Sequence, residues 1–245
     1  NISGKVFAAD KKFQWNPRLI LSMNRNQITK LPDGNRDIVI DYNGTTYILS
    51  KGRPINEFYQ VKSNGVYASD ADVPFNPRTG NLITYWDGSV TAGAGTYRWI
   101  DQNGDYDVWD RNDLVRTGDP NPKITGGLSN TFTYKNFSME VFTSFTLGRD
   151  VYNTYIASLL TNDKQIGNFY GQGLIDLSKL SIWRNPGDVA TYADVNPYKS
   201  YYYQFNTFSS AYMEDGSYAR IKYINLGYRF SSDWLKRAKI SALQL

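Results

Sequence analysis

Residues 137–145, Phe-Ser-Met-Glu-Val-Phe-Thr-Ser-Phe, alternate without a break. Phe137, Met139, Val141, Thr143 and Phe145 fall on one side of an extended chain, and Ser138, Glu140, Phe142 and Ser144 on the other. A period of two is the mark of a β-strand with unlike faces. The same period runs from Phe13 to Asn24, with Phe13, Trp15, Leu19, Leu21 and Met23 against Gln14, Asn16, Arg18, Ser22 and Asn24. It is imperfect there, because Pro17 removes a ladder donor and Ile20 interrupts the polar side. Residues 124–134 set Leu128, Phe132 and Tyr134 opposite Thr125, Ser129, Thr131 and Thr133. Residues 224–230 set Ile224, Leu226, Tyr228 and Phe230 opposite Asn225, Gly227 and Arg229. A hairpin is expected over 37–50, turned at Asn43-Gly44, since that dipeptide supplies the positive φ angles of a two-residue hairpin turn. Residues 151–160 read as a short helix.

Alternation alone does not say what each face meets. The apolar side of such a strand packs on a core in a soluble sheet and on lipid in an outer-membrane barrel. Connection lengths separate the two. Tyr134 and Phe137 are divided only by Lys135-Asn136, whereas the next connection, from Gly148 to about Tyr201, takes roughly fifty residues by the positions where alternation stops and resumes. Loops beyond about 12–15 residues are uncommon in compact soluble domains. Short turns at one end and long loops at the other are normal for outer-membrane barrels. On that reading Phe137, Met139, Val141 and Phe145 face lipid, while Ser138, Glu140 and Ser144 face the lumen. Tyr134 and Phe137 then sit in an interfacial aromatic girdle, the Lys135-Asn136 turn is periplasmic, and residues from about 149 to 200 are extracellular. Residues 52–119 show little alternation but many Tyr, Trp and Ile, so a packed excursion, mostly loop, is expected.

Composition narrows the classes. Charged residues make up 20% of the 245, and no run approaches the ~20 apolar residues of a spanning helix. A helical membrane protein is thereby excluded and a barrel is not. Aromatics reach 16%, which suits girdles and equally an aromatic-rich β-sandwich. Cys and His are both absent, so thiolate metal sites, Cys nucleophiles and His-dependent triads cannot form within this chain. The net charge, 27 minus 23 or +4, is carried by scattered residues and forms no nucleic-acid stripe. No signal peptide opens the chain at Asn1, and the closing Lys-Ile-Ser-Ala-Leu-Gln-Leu looks like an interrupted strand, so both ends are read as those of a fragment.

Three stretches carry a family likeness. Residues 52–67 run Gly-Arg-Pro-Ile-Asn-Glu-Phe-Tyr and end in Asn-Gly-Val-Tyr; residues 101–153 contain Asp-Gln-Asn-Gly-Asp, Asp-Arg, Gly-Asp-Pro-Asn-Pro and Gly-Arg-Asp-Val-Tyr-Asn; residues 216–230 run Gly-Ser-Tyr-Ala-Arg-Ile-Lys-Tyr-Ile-Asn-Leu-Gly-Tyr-Arg-Phe. In this order they resemble motifs of the SusC/RagA-like TonB-dependent outer-membrane transporters. The resemblance implies an all-β fold, part of a large antiparallel transmembrane β-barrel of about 22 strands when complete, with long extracellular loops. The chain would be the later part of that barrel, with the plug and the final strands absent. It further implies a non-enzyme in the outer membrane of a Gram-negative, Bacteroidetes-type bacterium. Such a protein imports oligosaccharide or peptide, works with a SusD-like surface lipoprotein as lid, and is energised by TonB through the absent N-terminal part.

Two groups of residues are candidate sites. Asp101, Asn103, Asp105 and Asp107 space oxygen donors as a tight loop around a hard cation would, and Ca²⁺ is the ion that wants 6–8 oxygens. The 101–112 loop departs from the EF-hand pattern with Tyr106 at the sixth position and Asn112 at the twelfth. The alternative is a loop of Asx-turns whose side chains cap their own backbone. Tyr198, Tyr201, Tyr202 and Tyr203 could stack on sugar rings, or pack against loop or lid. A rival from another class is a secreted β-rich glycan-binding or glycan-degrading protein. A glycosidase needs two carboxylates about 5–10 Å apart, and no placed pair is evident. A passive porin shares the strand pattern.

Overall fold

In the computed structural model the described residues are 2–4, 12–42, 44–85, 88, 90–108, 111–161, 176–194, 208–230, 235 and 237. Their strands in chain order are β1 (Ile2–Ser3), β2 (Phe13–Ser22), β3 (Ile38–Tyr42), β4 (Thr45–Leu49), β5 (Glu57–Val61), β6 (Ser63–Val66), β7 (Thr84–Tyr85), β8 (Val90–Thr91), β9 (Tyr97–Trp99), β10 (Asp107–Val108), β11 (Leu114–Gly118), β12 (Ile124–Tyr134), β13 (Phe137–Leu147), β14 (Asp150–Tyr152), β15 (Met213–Asp215) and β16 (Tyr218–Tyr228). They divide into two compact units: Asn1–Arg25, Asn121–Arg149 and Asp215–Leu245 form the first, and Asn26–Pro120 and Asp150–Glu214 the second.

The first unit is one sheet in the order β1-β2-β12-β13-β16. Every neighbouring pair is antiparallel. The β12–β13 hairpin pairs without a slip from Ile124↔Leu147 to Tyr134↔Phe137. Its two-residue turn is made possible by Lys135 at φ 52°, a left-handed conformation. Residues opposite one another in register share a face. Trp15, Phe132, Met139 and Leu226 therefore stand in one row, and Phe13, Tyr134, Phe137 and Tyr228 in the next. The other face collects Arg18, Ser129, Glu140 and Asn225 and their neighbours. A bulge between Phe142 and Thr143 leaves Lys222 as the extra residue of β16, and the alternation on either side of it stays in phase with the sheet. Gly126 and Gly127 have no Cβ for a physical reason: one would lie 2.5 Å from Phe145 Cζ and the other 2.8 Å from Phe142 Cζ. The two rings lie across the glycines, one on each face.

The second unit is made from the two long connections, β2 to β12 and β13 to β16. The expected hairpin is present, with Ile38↔Leu49 through Tyr42↔Thr45 and Gly44 at φ 73°, while Asn43 lies outside the described residues. It extends into a four-stranded sheet, β11-β5-β4-β3. The stretch 52–119 is the mostly irregular excursion expected, threaded by short strands that the pattern did not show. That stretch holds β5 to β11, paired into small sheets that include a parallel β10–β7 contact. The helix occupies Thr154–Thr161, capped by Asn153, whose Oδ1 accepts from Ile156 N at 3.0 Å. The residues just before it, 150–152, are the strand β14.

The packed excursion is real, and its core explains why. Val61, Tyr85, Tyr97, Trp99, Val108, Leu160, Ile182 and Tyr212 are buried together. The two connections lock to each other inside this unit: Val61 N donates to Phe208 O at 2.9 Å, and Trp99 Nε1 to Ser209 Oγ at 3.1 Å. Tyr97 and Tyr212 share a hydroxyl–hydroxyl hydrogen bond at 2.8 Å.

Candidate functional site

The first unit's sheet has two chemically unlike faces. Its apolar face carries exposed residues at the short-turn end and on the edge strand β16, while Leu128, Phe132, Val141 and Phe145 between them are half-buried. Phe137 is 61% exposed, Leu226 74% and Ile224 56%. Eleven-residue strands rising ~3.3 Å per residue and tilted by ~45° span about 25 Å, the height of the apolar band of an outer-membrane barrel. Aromatic rings gather at the short-turn end: Phe13 stacks on Phe132 at 6.2 Å, Trp15 on Phe132 at 6.2 Å, and Phe137 meets Tyr228 at 4.6 Å. The Lys135 ammonium sits 5.4 Å from the Tyr134 ring centroid. Within the apolar face Asn130 is satisfied by Trp15, whose indole N–H donates to Asn130 Oδ1 at 3.0 Å.

The opposite face is the more polar one, although Ile20 and Phe142 also fall on it. Glu140 Oε1 accepts from Ser129 Oγ at 3.1 Å and from the Tyr223 hydroxyl at 2.9 Å. Phe142 and Tyr223 stack at 5.5 Å beside that pair. The side-chain division expected for 137–145 is the one the register produces.

Polar chemistry in the second unit is of a structural kind. Glu57 is buried and binds Arg53 and Arg116, the latter through Nε at 3.2 Å. Gln60 is fully buried; its amide donates to Thr45 Oγ1 at 2.7 Å and its carbonyl accepts from Thr117 Oγ1 at 2.8 Å. Burial pushes the Tyr97, Tyr152 and Tyr212 phenols up from their ordinary range. A separate hollow of about 620 Å³ is lined by Lys62, Gln102, Thr117 and Met213 among others.

The 101–112 loop uses its oxygens on its own chain. Asp101 accepts from Gly104 N at 2.7 Å and Tyr106 N at 2.9 Å, one with each carboxylate oxygen. Asn103 Oδ1 accepts from Asp105 N at 2.9 Å, and Asp105 Oδ1 from Asp107 N at 2.8 Å. Asp107 Oδ1 accepts from Thr84 Oγ1 at 3.1 Å. Tyr106, at the sixth position, takes φ 71°. Among the described residues no group of three or more acidic side chains is arranged to hold a metal ion. Tyr198, Tyr201, Tyr202 and Tyr203 lie outside the described residues. Sequence pattern alone does not single out the Trp15–Asn130 pair or the buried Glu57; only the register and the folded loops bring their partners together.

A sheet of long antiparallel strands, apolar and exposed on one face, polar on the other, with a two-residue turn at one end and long excursions at the other, is a segment of a membrane β-barrel wall. The comparisons with known proteins agree. The chain is 27% identical over 242 residues to TonB-dependent receptor P3 of Formosa agariphila, covering 96% of this chain and 22% of that receptor. It is 28% identical over 228 residues to TonB-dependent receptor P26 of the same organism, covering 90% of this chain and 20% of that one. The solved structure of the RagAB peptide importer in its open-open state matches with a TM-score of 0.63 at 19% identity, over 95% of this chain and 22% of that chain. No family model matches. The resemblance read from the motifs agrees with these likenesses: along most of its length the chain is similar to a stretch of TonB-dependent receptors, and its fold is similar to that of part of the RagAB importer. It spans about a fifth of the length of the curated relatives it matches.

Proposed function

We propose that this chain forms barrel wall and extracellular crown of an outer-membrane importer energised through TonB, which takes up oligosaccharide or peptide and works with a SusD-like surface lipoprotein. The first unit is the wall and the second the crown. One observation carries the reading. A sheet whose inner strands leave Tyr134, Phe137 and Met139 exposed on one face would be an aggregation hazard in water and is at rest in lipid. That observation also disfavours the secreted glycan-binding or glycan-degrading alternative. The names of the relatives favour a receptor or transporter over an enzyme.

RagAB is a peptide importer, which favours peptide. The crown is rich in aromatic residues and Arg, which suits a lid interface with aromatic anchors and a polar rim. The test is fractionation of the full-length protein followed by pull-down. Recovery in detergent-extracted outer membrane with a co-purifying lipoprotein supports the reading. A protein that stays in solution without detergent overturns it.

A further inference from the structure

We propose that the hollow at the short-turn end of the sheet's apolar face binds an anionic phospholipid, with an acyl chain in the hollow and the phosphate at Lys135. The proposal rests on the reading of this face as lipid-facing. The hollow measures about 350 Å³ and is lined by Phe13, Phe132, Tyr134, Phe137, Met139 and Leu226 among others. These residues come from β2, β12, β13 and β16, so its shape is set by strand register across four strands.

Apolar walls alone would not choose a lipid, because bulk acyl chains are as apolar as the side chains they touch. Selection comes from shape and from charge at the rim. The Lys135 ammonium lies 5.4 Å from the ring of Tyr134, itself a wall of the hollow. Lys12 and Arg229 belong to the same end of the sheet, but the alternation that puts Phe13 and Tyr228 on the apolar face puts these two on the opposite one, so Lys135 is the cation placed beside the hollow. Lys135 N donates to Lys12 O at 3.3 Å, and Arg229 N donates to Asn136 O at 2.8 Å. Among the described residues of this end (12–16, 131–140 and 224–230) the one carboxylate is Glu140. It belongs to the polar face and is held there by Ser129 and Tyr223. A lysine ammonium beside an apolar hollow at an aromatic girdle matches a phosphate headgroup with its chain.

The experiment is native mass spectrometry of the full-length protein in detergent, titrated with phosphatidylglycerol or with phosphatidylcholine of the same acyl chains. Wild type should retain the anionic lipid with about five-fold preference for each cation engaged. Lys135→Gln should reduce that preference, and Leu226→Trp, which fills the hollow, should reduce retention of both lipids. Heat-modifiable gel mobility reports whether each variant is folded. Equal retention of the two lipids by wild type overturns the proposal, as does a preference that survives both substitutions in folded protein. Failure of the membrane reading itself looks different: the wild type would then need no detergent.

Discussion

Asn130 sits in the middle of an apolar face and is tolerated there because Trp15 donates to it. Trp15→Phe should cost about 1–3 kcal/mol by leaving the amide oxygen unpaired in lipid, and Trp15→Phe with Asn130→Leu should recover most of that. Unfolding in urea from lipid vesicles measures both. Val141→Arg puts a charge on the same face and should cost ~2–4 kcal/mol near the bilayer midplane in the same assay. Asp101 anchors its loop by accepting from Gly104 N and Tyr106 N. Asp101→Ala should therefore lower crown stability by about 1–2 kcal/mol. An equal loss with and without Ca²⁺ marks the carboxylate as a turn anchor, whereas a loss confined to Ca²⁺ makes the loop a cation site. The buried phenols carry a pH dependence. Burial pushes Tyr97 and Tyr212 up, so the folded crown keeps them neutral while the unfolded chain ionises them near pH ~10. Stability from the neutral phenols is complete below that pH and is lost as pH rises above it. Alkaline titration followed by tyrosinate absorbance should show a cooperative rise, shallower in Tyr212→Phe.

The long strands were legible in the sequence, and the short ones were not. Residues 124–134 and 137–145 alternate for long enough to set strand and face, and both form as read, the second running on to Leu147. β7, β8 and β10 are two residues each, too short to show a repeating alternation, and exist because Tyr85, Val90 and Val108 are buried in a shared core. Tyr85, Tyr97 and Tyr212 also escape pattern reading, since a tyrosine suits a surface as well as a core until its hydroxyl finds a partner, as these do. The metal-like spacing at 101–107 was legible too, but spacing does not say whether the oxygens turn outward to an ion or inward to backbone amides. The turn at Lys135-Asn136 makes a topological prediction. Protease added to intact cells should cut within the 149–200 connection and spare this turn; cleavage at the turn alone would invert the orientation.

The two connections that build the crown are interlocked, so it behaves as one body under mutation. A deletion from Asn162 to Ala190 spares every strand of the wall, yet it removes Ile182 and Trp183, which are buried in the crown. It should leave the wall folded while loosening the crown and weakening lid binding or uptake, read by lipoprotein co-purification and substrate accumulation. Behind all of this stands the claim that one face of the sheet meets lipid and the other an aqueous lumen. This chain contains no cysteine, so single cysteines can be placed along β13 without background from it. Spin labels at 137, 138, 139, 140, 141, 144 and 145, in full-length protein in bilayers, should alternate in collision with dissolved oxygen and with a water-soluble nickel chelate. Phe137, Met139, Val141 and Phe145 should be open to oxygen, and Ser138, Glu140 and Ser144 to the chelate. Chelate access at every position, or alternation in the opposite phase, would contradict the account.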